Sequence, residues 1–199
     1  LVAHVVDPQP GELVLDVCSA PGGKTTHMAA LMENRGRIVA CDIYDHKLQR
    51  VMENAARLGI NIIDPMLKDA REIHQDFPQQ ADRVLVDAPC SGLGVLRRKP
   101  DSRWRKTQQL LKELPELQLE ILKSGAVCVK PGGILVYSTC TIAREENQAV
   151  VEKFLKDNAE FQLEHTGSRL PVPREDVMVQ LYPQRDGTDG FFIACMRRK

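Results

Sequence analysis

Arg83-Val84-Leu85-Val86-Asp87-Ala88-Pro89-Cys90-Ser91-Gly92 is the stretch on which the fold turns. Arg83 to Val86 reads as a buried strand, short, apolar and rich in β-branched side chains. Pro89 cannot donate to a sheet ladder, so the strand stops near Asp87. An acid, a proline and a thiol are therefore presented where a strand gives way to a loop. In an open α/β sheet that is where ligands bind.

Upstream the same pattern recurs. Leu13-Val14-Leu15-Asp16-Val17 predicts a first strand, entered from the Pro10-Gly11 turn. It runs into Cys18-Ser19-Ala20-Pro21-Gly22-Gly23-Lys24-Thr25 and a helix to about Asn34, a place where backbone N–H groups face a ligand. A P-loop would need glycine where Cys18 stands, and the G-x-G-x-x-G spacing of dinucleotide folds is missing. A nucleoside ligand without phosphates fits better than ATP or NAD. Arg37-Ile38-Val39-Ala40-Cys41 predicts the second strand, ending at Asp42, the position that holds ribose hydroxyls in nucleotide-binding βαβ units. Asp45 to Leu58 predicts a helix with Asp45 as N-cap, and residues 60–66 a third strand followed by Asp69, an acid on a loop.

Downstream, Arg97, Arg98, Lys99, Arg103, Arg105 and Lys106 face a single acid, Asp101, with Trp104 interleaved. A charge run is ordinarily a solvated face, but cations beside an aromatic also suit phosphates and an unstacked base. Pro115 is expected in the first turn of a helix that carries Leu117, Ile121 and Cys128 on one face. Pro131-Gly132-Gly133 turns the chain into the strand Ile134–Tyr137, after which Ser138-Thr139-Cys140-Thr141 puts a second cysteine past a strand end. Glu145 and Glu146 open a helix to about Asn158, placed for its N-terminal dipole. Residues 172–185 read as irregular, and 190–195 as a closing strand.

The chain has 199 residues, 43% of them hydrophobic, enough for one domain with a full core. Its net charge is zero, so bulk electrostatics neither supports nor excludes a nucleic-acid partner. No apolar run reaches membrane-spanning length and no signal peptide is visible, which predicts no membrane association. None of the six cysteines has zinc-ligand spacing, and no metal site is expected. Reduced thiols in a cytoplasmic protein, mostly core residues, are the better reading. Leu1–Val6 looks like the end of an element, and the chain is expected to be a fragment of something longer.

The strand–helix alternation predicts a doubly wound, mostly parallel sheet with its candidate polar residues along one edge. Cys18–Thr25, Asp87–Gly94 and Thr139-Cys140-Thr141 resemble the S-adenosylmethionine-binding and two-cysteine motifs of RNA cytosine-5 methyltransferases. Arg97-Arg98-Lys99-Pro100-Asp101 with Trp104, Glu145-Glu146-Asn147 and Asp189-Gly190-Phe191-Phe192 are similar to the RsmB (Sun, Fmu) branch, which methylates small-subunit ribosomal RNA. The resemblance implies a class I methyltransferase fold, Rossmann-like, with a seven-stranded sheet whose last strand is antiparallel. It implies S-adenosyl-L-methionine as cofactor, with Cys18, Ser19, Ala20, Pro21, Gly22, Gly23 and Lys24 around its methionine part, Asp42 on the ribose and Asp69 on the adenine edge. Asp87 would adjoin both cofactor and target base. Cys140 is implied as nucleophile and Cys90 as the partner that frees the product. Lys24 and the Arg97–Lys99 cluster are the candidate cations for lowering the Cys140 pKa.

The implied partner is ribosomal RNA, contacted by Arg97, Arg98, Lys99 and Trp104, with the target cytosine unpaired or flipped out. A monomer is expected, and the family's N-terminal helical RNA-binding region is expected to lie outside this chain. The rival readings are an amino-methyltransferase of adenine or protein, a non-catalytic RNA-binding relative, and a nucleotide-dependent oxidoreductase.

Overall fold

Val14 and Leu85 project to one side of their strands, and Leu15, Val84 and Val86 to the other, yet all are fully buried. Strands apolar on both faces require a layer on each. The computed structural model describes residues 1–105 and 107–199. Lys106, the last cation of the basic run, lies outside the described residues, as do the side chains of Arg103 and Arg105.

The strands are β1 (Leu13–Asp16), β2 (Arg37–Asp42), β3 (Ile63–Leu67), β4 (Ala81–Asp87), β5 (Val129–Thr139), β6 (Phe161–Leu163), β7 (Val179–Leu181) and β8 (Phe191–Arg198). The helices are α1 (Val2–Val6), α2 (Gly23–Leu31), α3 (Asp45–Arg57), α4 (Gln108–Cys128), α5 (Gln148–Asp157) and α6 (Pro183–Asp186). The sheet runs β3-β2-β1-β4-β5-β8-β6, with β7 also paired to β8. Strands β1 to β5 are mutually parallel, and β8 runs antiparallel to β5, β6 and β7. One face is covered by Leu122 and Ala126 of α4 with Val151 and Phe154 of α5, the other by α1, α2 and α3 through residues such as Val5, Met28 and Val51. Among the described residues no helix is long and apolar enough to cross a membrane.

The predicted doubly wound sheet is present, with its antiparallel last strand, and β7 adds an eighth strand to the expected seven. That strand falls in the stretch expected to be irregular. It is three residues long, and it pairs with the first residues of β8 while β6 takes the last. Pro131-Gly132-Gly133 loops out of β5 between two ladder pairs, Ala81 with Val129 and Arg83 with Ile134.

Three expectations are corrected. Helix α4 starts at Gln108, so Pro115 sits inside it; burial of Leu114 holds the upstream turn although proline donates no hydrogen bond there. Asp45 is the first helical residue of α3 and not its cap: Tyr44 is the N-cap, and Asp42 takes the Tyr44 N–H at 3.0 Å. Residues Arg144–Glu146 form a separate 3₁₀ turn before α5, so the two acids do not lie in its first turn.

The loop after β4 meets the start of β8 backbone to backbone. Gly94 N–H donates to the Cys140 carbonyl at 3.0 Å, and Gly190 N–H donates to the Gly94 carbonyl at 2.9 Å. A Cβ on Gly94 would stand 2.0 Å from the Gly190 oxygen. Gly94→Ala is therefore expected to cost about 1–3 kcal/mol of stability by overpacking. Urea unfolding checks this, and an unchanged midpoint would show that the loop gives way freely.

Candidate active site

Parallel pairing of β4 with β5 sets Asp87 opposite Ser138. The Ala88 N–H donates to the Ser138 carbonyl at 2.9 Å, and the Ser138 hydroxyl donates to Asp87 Oδ1 at 2.8 Å. The chains leave the sheet side by side, so Cys90, three residues past Asp87, meets Cys140, two past Ser138. Their sulfurs are 3.3 Å apart. This contact holds the Cys140 thiol below the ordinary thiol range; burial and the Asp87 charge oppose the shift, and Lys24 adds to it. The same contact, with burial, pushes the Cys90 thiol up. The two opposite directions favour the thiolate on Cys140 over Cys90.

Both sulfurs open onto a cleft of about 630 Å³ that also takes in Cys18, Ala20, Asp42, Asp69 and Asp87, with Val17, Ile43, Ala70, Leu117 and Ile121 as apolar wall. Ser19, Pro21 and Gly22 belong to the loop after β1 and Gly23 opens α2; none of these four expected cofactor residues lines the cleft. Ser19 donates through N–H and hydroxyl to the Cys41 carbonyl, at 2.8 and 3.0 Å. Gly22 has φ +99°, and a Cβ there would meet the Val51 backbone at 3.1 Å, so glycine is required twice over. Lys24 reaches forward from the start of α2 to Asp87 Oδ2 at 2.7 Å. Both Asp87 oxygens are thus engaged, although each retains accepting capacity.

Asp42 ends β2, as expected, and Asp69 caps the 3₁₀ turn Ala70–Gln75 by accepting the Arg71 N–H at 2.9 Å. The Arg71 guanidinium pairs with the same carboxylate and keeps it below the usual range. Of the cysteines, Cys41, Cys128 and Cys195 are core residues, with thiols pushed up to about 12, 12 and 11 by burial. Cys18 lies at the cleft wall, and burial raises its thiol too.

The basic segment is placed differently from the rest. Arg97, Arg98, Lys99 and Trp104 are exposed and line none of this cleft, Trp104 being 82% exposed. Asp189 takes both arginines, Arg97 Nε at 2.8 Å and Arg98 at 2.6 Å. The cation acting on Cys140 is accordingly Lys24, and the leading cause is Cys90 itself.

The roles of two residues went unread in the sequence. Asp16 is buried under the loop after β1; Thr25 donates to its Oδ2 at 2.7 Å, Oδ1 has no partner among the described residues, and burial lifts its pKa to about 7. An acid inside the apolar run Leu13–Val17 was its signal. Glu146, expected at a helix dipole, is 1% exposed and bonded to the cysteine loops. Nothing in its local pattern marks that.

An acid-lined cleft at the carboxyl edge of the parallel strands, without a phosphate cradle, suits a cationic nucleoside. The three lining carboxylates and an apolar wall fit S-adenosylmethionine. Fold and site together define a Rossmann-like domain with a cleft of cofactor size at the carboxyl edge of its parallel strands. Residues 3–197 match the family model described as 16S rRNA methyltransferase RsmB/F, and the chain belongs to that family, which is S-adenosylmethionine-dependent.

Over 205 residues it is 46% identical to "Probable ribosomal RNA small subunit methyltransferase B" of Bacillus subtilis (strain 168), covering 100% of this chain and 46% of that protein. It is 39% identical to "Ribosomal RNA small subunit methyltransferase B" of Yersinia pseudotuberculosis (serotype O:1b, strain IP 31758), covering 98% and 44%. The crystal structure of NSun6 from Pyrococcus horikoshii with SFG superposes with a TM-score of 0.88 at 34% identity, covering 99% of this chain and 50% of that one. The chain spans somewhat less than half the length of these curated relatives.

Asp42→Ala removes the cleft carboxylate expected from the sequence on the ribose. It is expected to weaken S-adenosylmethionine binding about tenfold or more, the scale of a hydrogen bond to a charged group. Calorimetry giving an unchanged Kd would take Asp42 out of the binding site.

Proposed function

We propose that this domain transfers a methyl group from S-adenosylmethionine to carbon 5 of a cytosine in 16S ribosomal RNA. The observation that carries the reading is the Cys90–Cys140 sulfur contact at the mouth of a cleft that also holds Asp42 and Asp87. An amino-methyltransferase has no use for a thiol pair there, and an RNA-binding relative without chemistry has no use for a lowered thiol pKa.

Carbon 5 of cytosine is too weak a nucleophile to attack a methyl group unaided. In this reading the Cys140 thiolate adds to carbon 6, the C5=C6 electron pair moves into the ring, and carbon 5 becomes enamine-like. The cofactor supplies an electrophilic methyl group on a sulfonium. Carbon 5 would take the methyl as the methyl–sulfur bond of the cofactor breaks to leave a neutral thioether. A base would then take the C5 proton, the C6–sulfur bond would break with its electron pair returning to Cys140 as thiolate, and C5=C6 would be restored. Cys90, beside Cys140, assists that release. Asp87 accepts from the polar edge of the base, and the Lys24 ammonium paired with it offsets the negative charge that builds on the ring. The base enters the cleft unpaired or flipped out, with Arg97, Arg98, Lys99 and Trp104 meeting the flanking RNA. A ribosomal substrate places the protein in the cytoplasm.

Cys140→Ala is expected to lower methylation at least about 10³-fold, the scale for loss of a covalent nucleophile, with S-adenosylmethionine binding retained. Tritiated S-adenosylmethionine with ribosomal RNA, followed by nucleoside analysis, reads both the rate and the product. Turnover at the parental rate, or label on an exocyclic amine, ends this reading. Cys90→Ala is expected to accumulate a covalent protein–RNA adduct on denaturing gels. Loss of activity with no adduct gives Cys90 a different role.

A further inference from the structure

The Glu145-Glu146-Asn147 segment takes no part in the chemistry above, yet the side chains of Glu146 and Asn147 reach both cysteine loops. Glu146 is buried and, among the described residues, has no cationic partner. Its Oε2 accepts the Ser91 N–H at 2.8 Å and the Gln118 amide at 2.9 Å, and its Oε1 accepts the Thr141 hydroxyl at 3.5 Å. Gln118, from α4, also donates to the Pro89 carbonyl at 2.9 Å. Asn147 accepts the Thr139 hydroxyl at 2.5 Å and donates to the Thr141 carbonyl at 3.1 Å. The hydroxyls of Ser91 and Thr141 join the loops at 2.8 Å. Each residue flanking Cys90 (Pro89 and Ser91) and each residue flanking Cys140 (Thr139 and Thr141) is thus bonded within one buried set. The set is fixed in turn to the sheet, since the Tyr137 hydroxyl donates to the Glu146 carbonyl at 2.6 Å.

An unpaired buried carboxylate is costly, and a helix-dipole role would have left it in water. Four acceptor sites on one anion serve to gather donors from separate segments. We propose that Glu146, with Gln118 and Asn147, is a positioning clamp that sets the two cysteine loops against each other and so fixes the approach of the two sulfurs. The inference rests on the reading of Cys140 as nucleophile and Cys90 as its partner. Glu146 touches neither sulfur and is a positioning residue.

The test compares Glu146→Ala and Glu146→Gln with the parent protein, each held well below its melting temperature. The amide of Glu146→Gln can still accept from Ser91 and Gln118 while donating to the Thr141 hydroxyl, so it is the conservative variant. Glu146→Ala is expected to lower kcat about 100-fold, the scale of a misplacement near 1 Å. Its Kd for S-adenosylmethionine should stay within about twofold, since Glu146 does not line the cofactor cleft. Glu146→Gln should recover most of the loss.

The second readout is the pH profile of Cys140 alkylation by iodoacetamide, followed by peptide mass spectrometry and needing no RNA. The groups acting on that thiol are Cys90, Asp87 and Lys24. Loosening the loops removes the Cys90 contact, so the midpoint should move to higher pH in Glu146→Ala. Gln118→Leu, which deletes two hydrogen bonds of the set, carries the same expectation at about tenfold in kcat, so the test does not hang on one variant folding. Unchanged kcat and an unchanged alkylation midpoint in Glu146→Ala would overturn the clamp. So would parallel losses in kcat and cofactor affinity that track the unfolded fraction. If Cys140→Ala turns over normally, the nucleophile assignment is what fails, and the alkylation profile still decides whether Glu146 sets the sulfur pair.

Discussion

The register that places Asp87 of β4 beside Ser138 of β5 is the constraint on which the site depends. Both strands are parallel and buried on both faces, so a one-residue slip would move every side chain of β4 to the wrong layer. The register is secured by apolar packing well away from the site, and the site inherits it. Backbone hydrogen bonds carry the pairing past the strand ends, from Ala88 to Ser138 and from Gly94 to Cys140. Two residues 50 positions apart are brought to sulfur contact without either being part of a regular element.

The electrostatics of the site follow from that contact more than from its cations. Asp87 and Lys24 act on Cys140 with opposite signs and neutralise each other as a half-buried ion pair. Burial opposes ionisation. What remains is the hydrogen bond between the thiols, which favours a single negative charge on the pair and resists a second. In the proposed reaction Cys90 has two couplings to Cys140, one through the hydrogen bond between the sulfurs and one through the chemistry of release. If that reaction holds, deleting Cys90 changes the nucleophile as well as the exit step, and effects of the two cysteines will not add.

The parallel core was legible because buried strands have their own pattern. Val84-Leu85-Val86 and Ile134–Tyr137 are short apolar runs bounded by proline or glycine, and each appears as a strand. Asp42 and Asp87 end parallel strands and Asp69 lies two residues past another, so the topology brings all three to one cleft. Strands β6 and β7, each of three residues, are too short for a period to show and exist because β8 offers them an edge. Glu146 was hidden for a different reason. Two acids before an amphipathic helix match a dipole pattern, and only the 3₁₀ turn at Arg144–Glu146 rotates the second of them inward. Asp189 lies 92 positions from Arg97, so no local spacing could reveal their pairing.

That pairing bears on how the basic segment works. Arg97 and Arg98 share one carboxylate at the start of β8, on a loop already bound backbone to backbone to Gly94. The arginine side chains are 50% and 66% exposed, and ion pairs of that kind are worth about 0–1 kcal/mol. In the proposed reaction, exchanging the carboxylate for an RNA phosphate would therefore cost little, while the glycine contact would keep the loop in place. The same loop carries Cys90 at its other end. In the proposed reaction, a strand of RNA that engages the arginines is held at a fixed distance from the sulfur pair, and its register on the protein is set by the backbone that sets the chemistry.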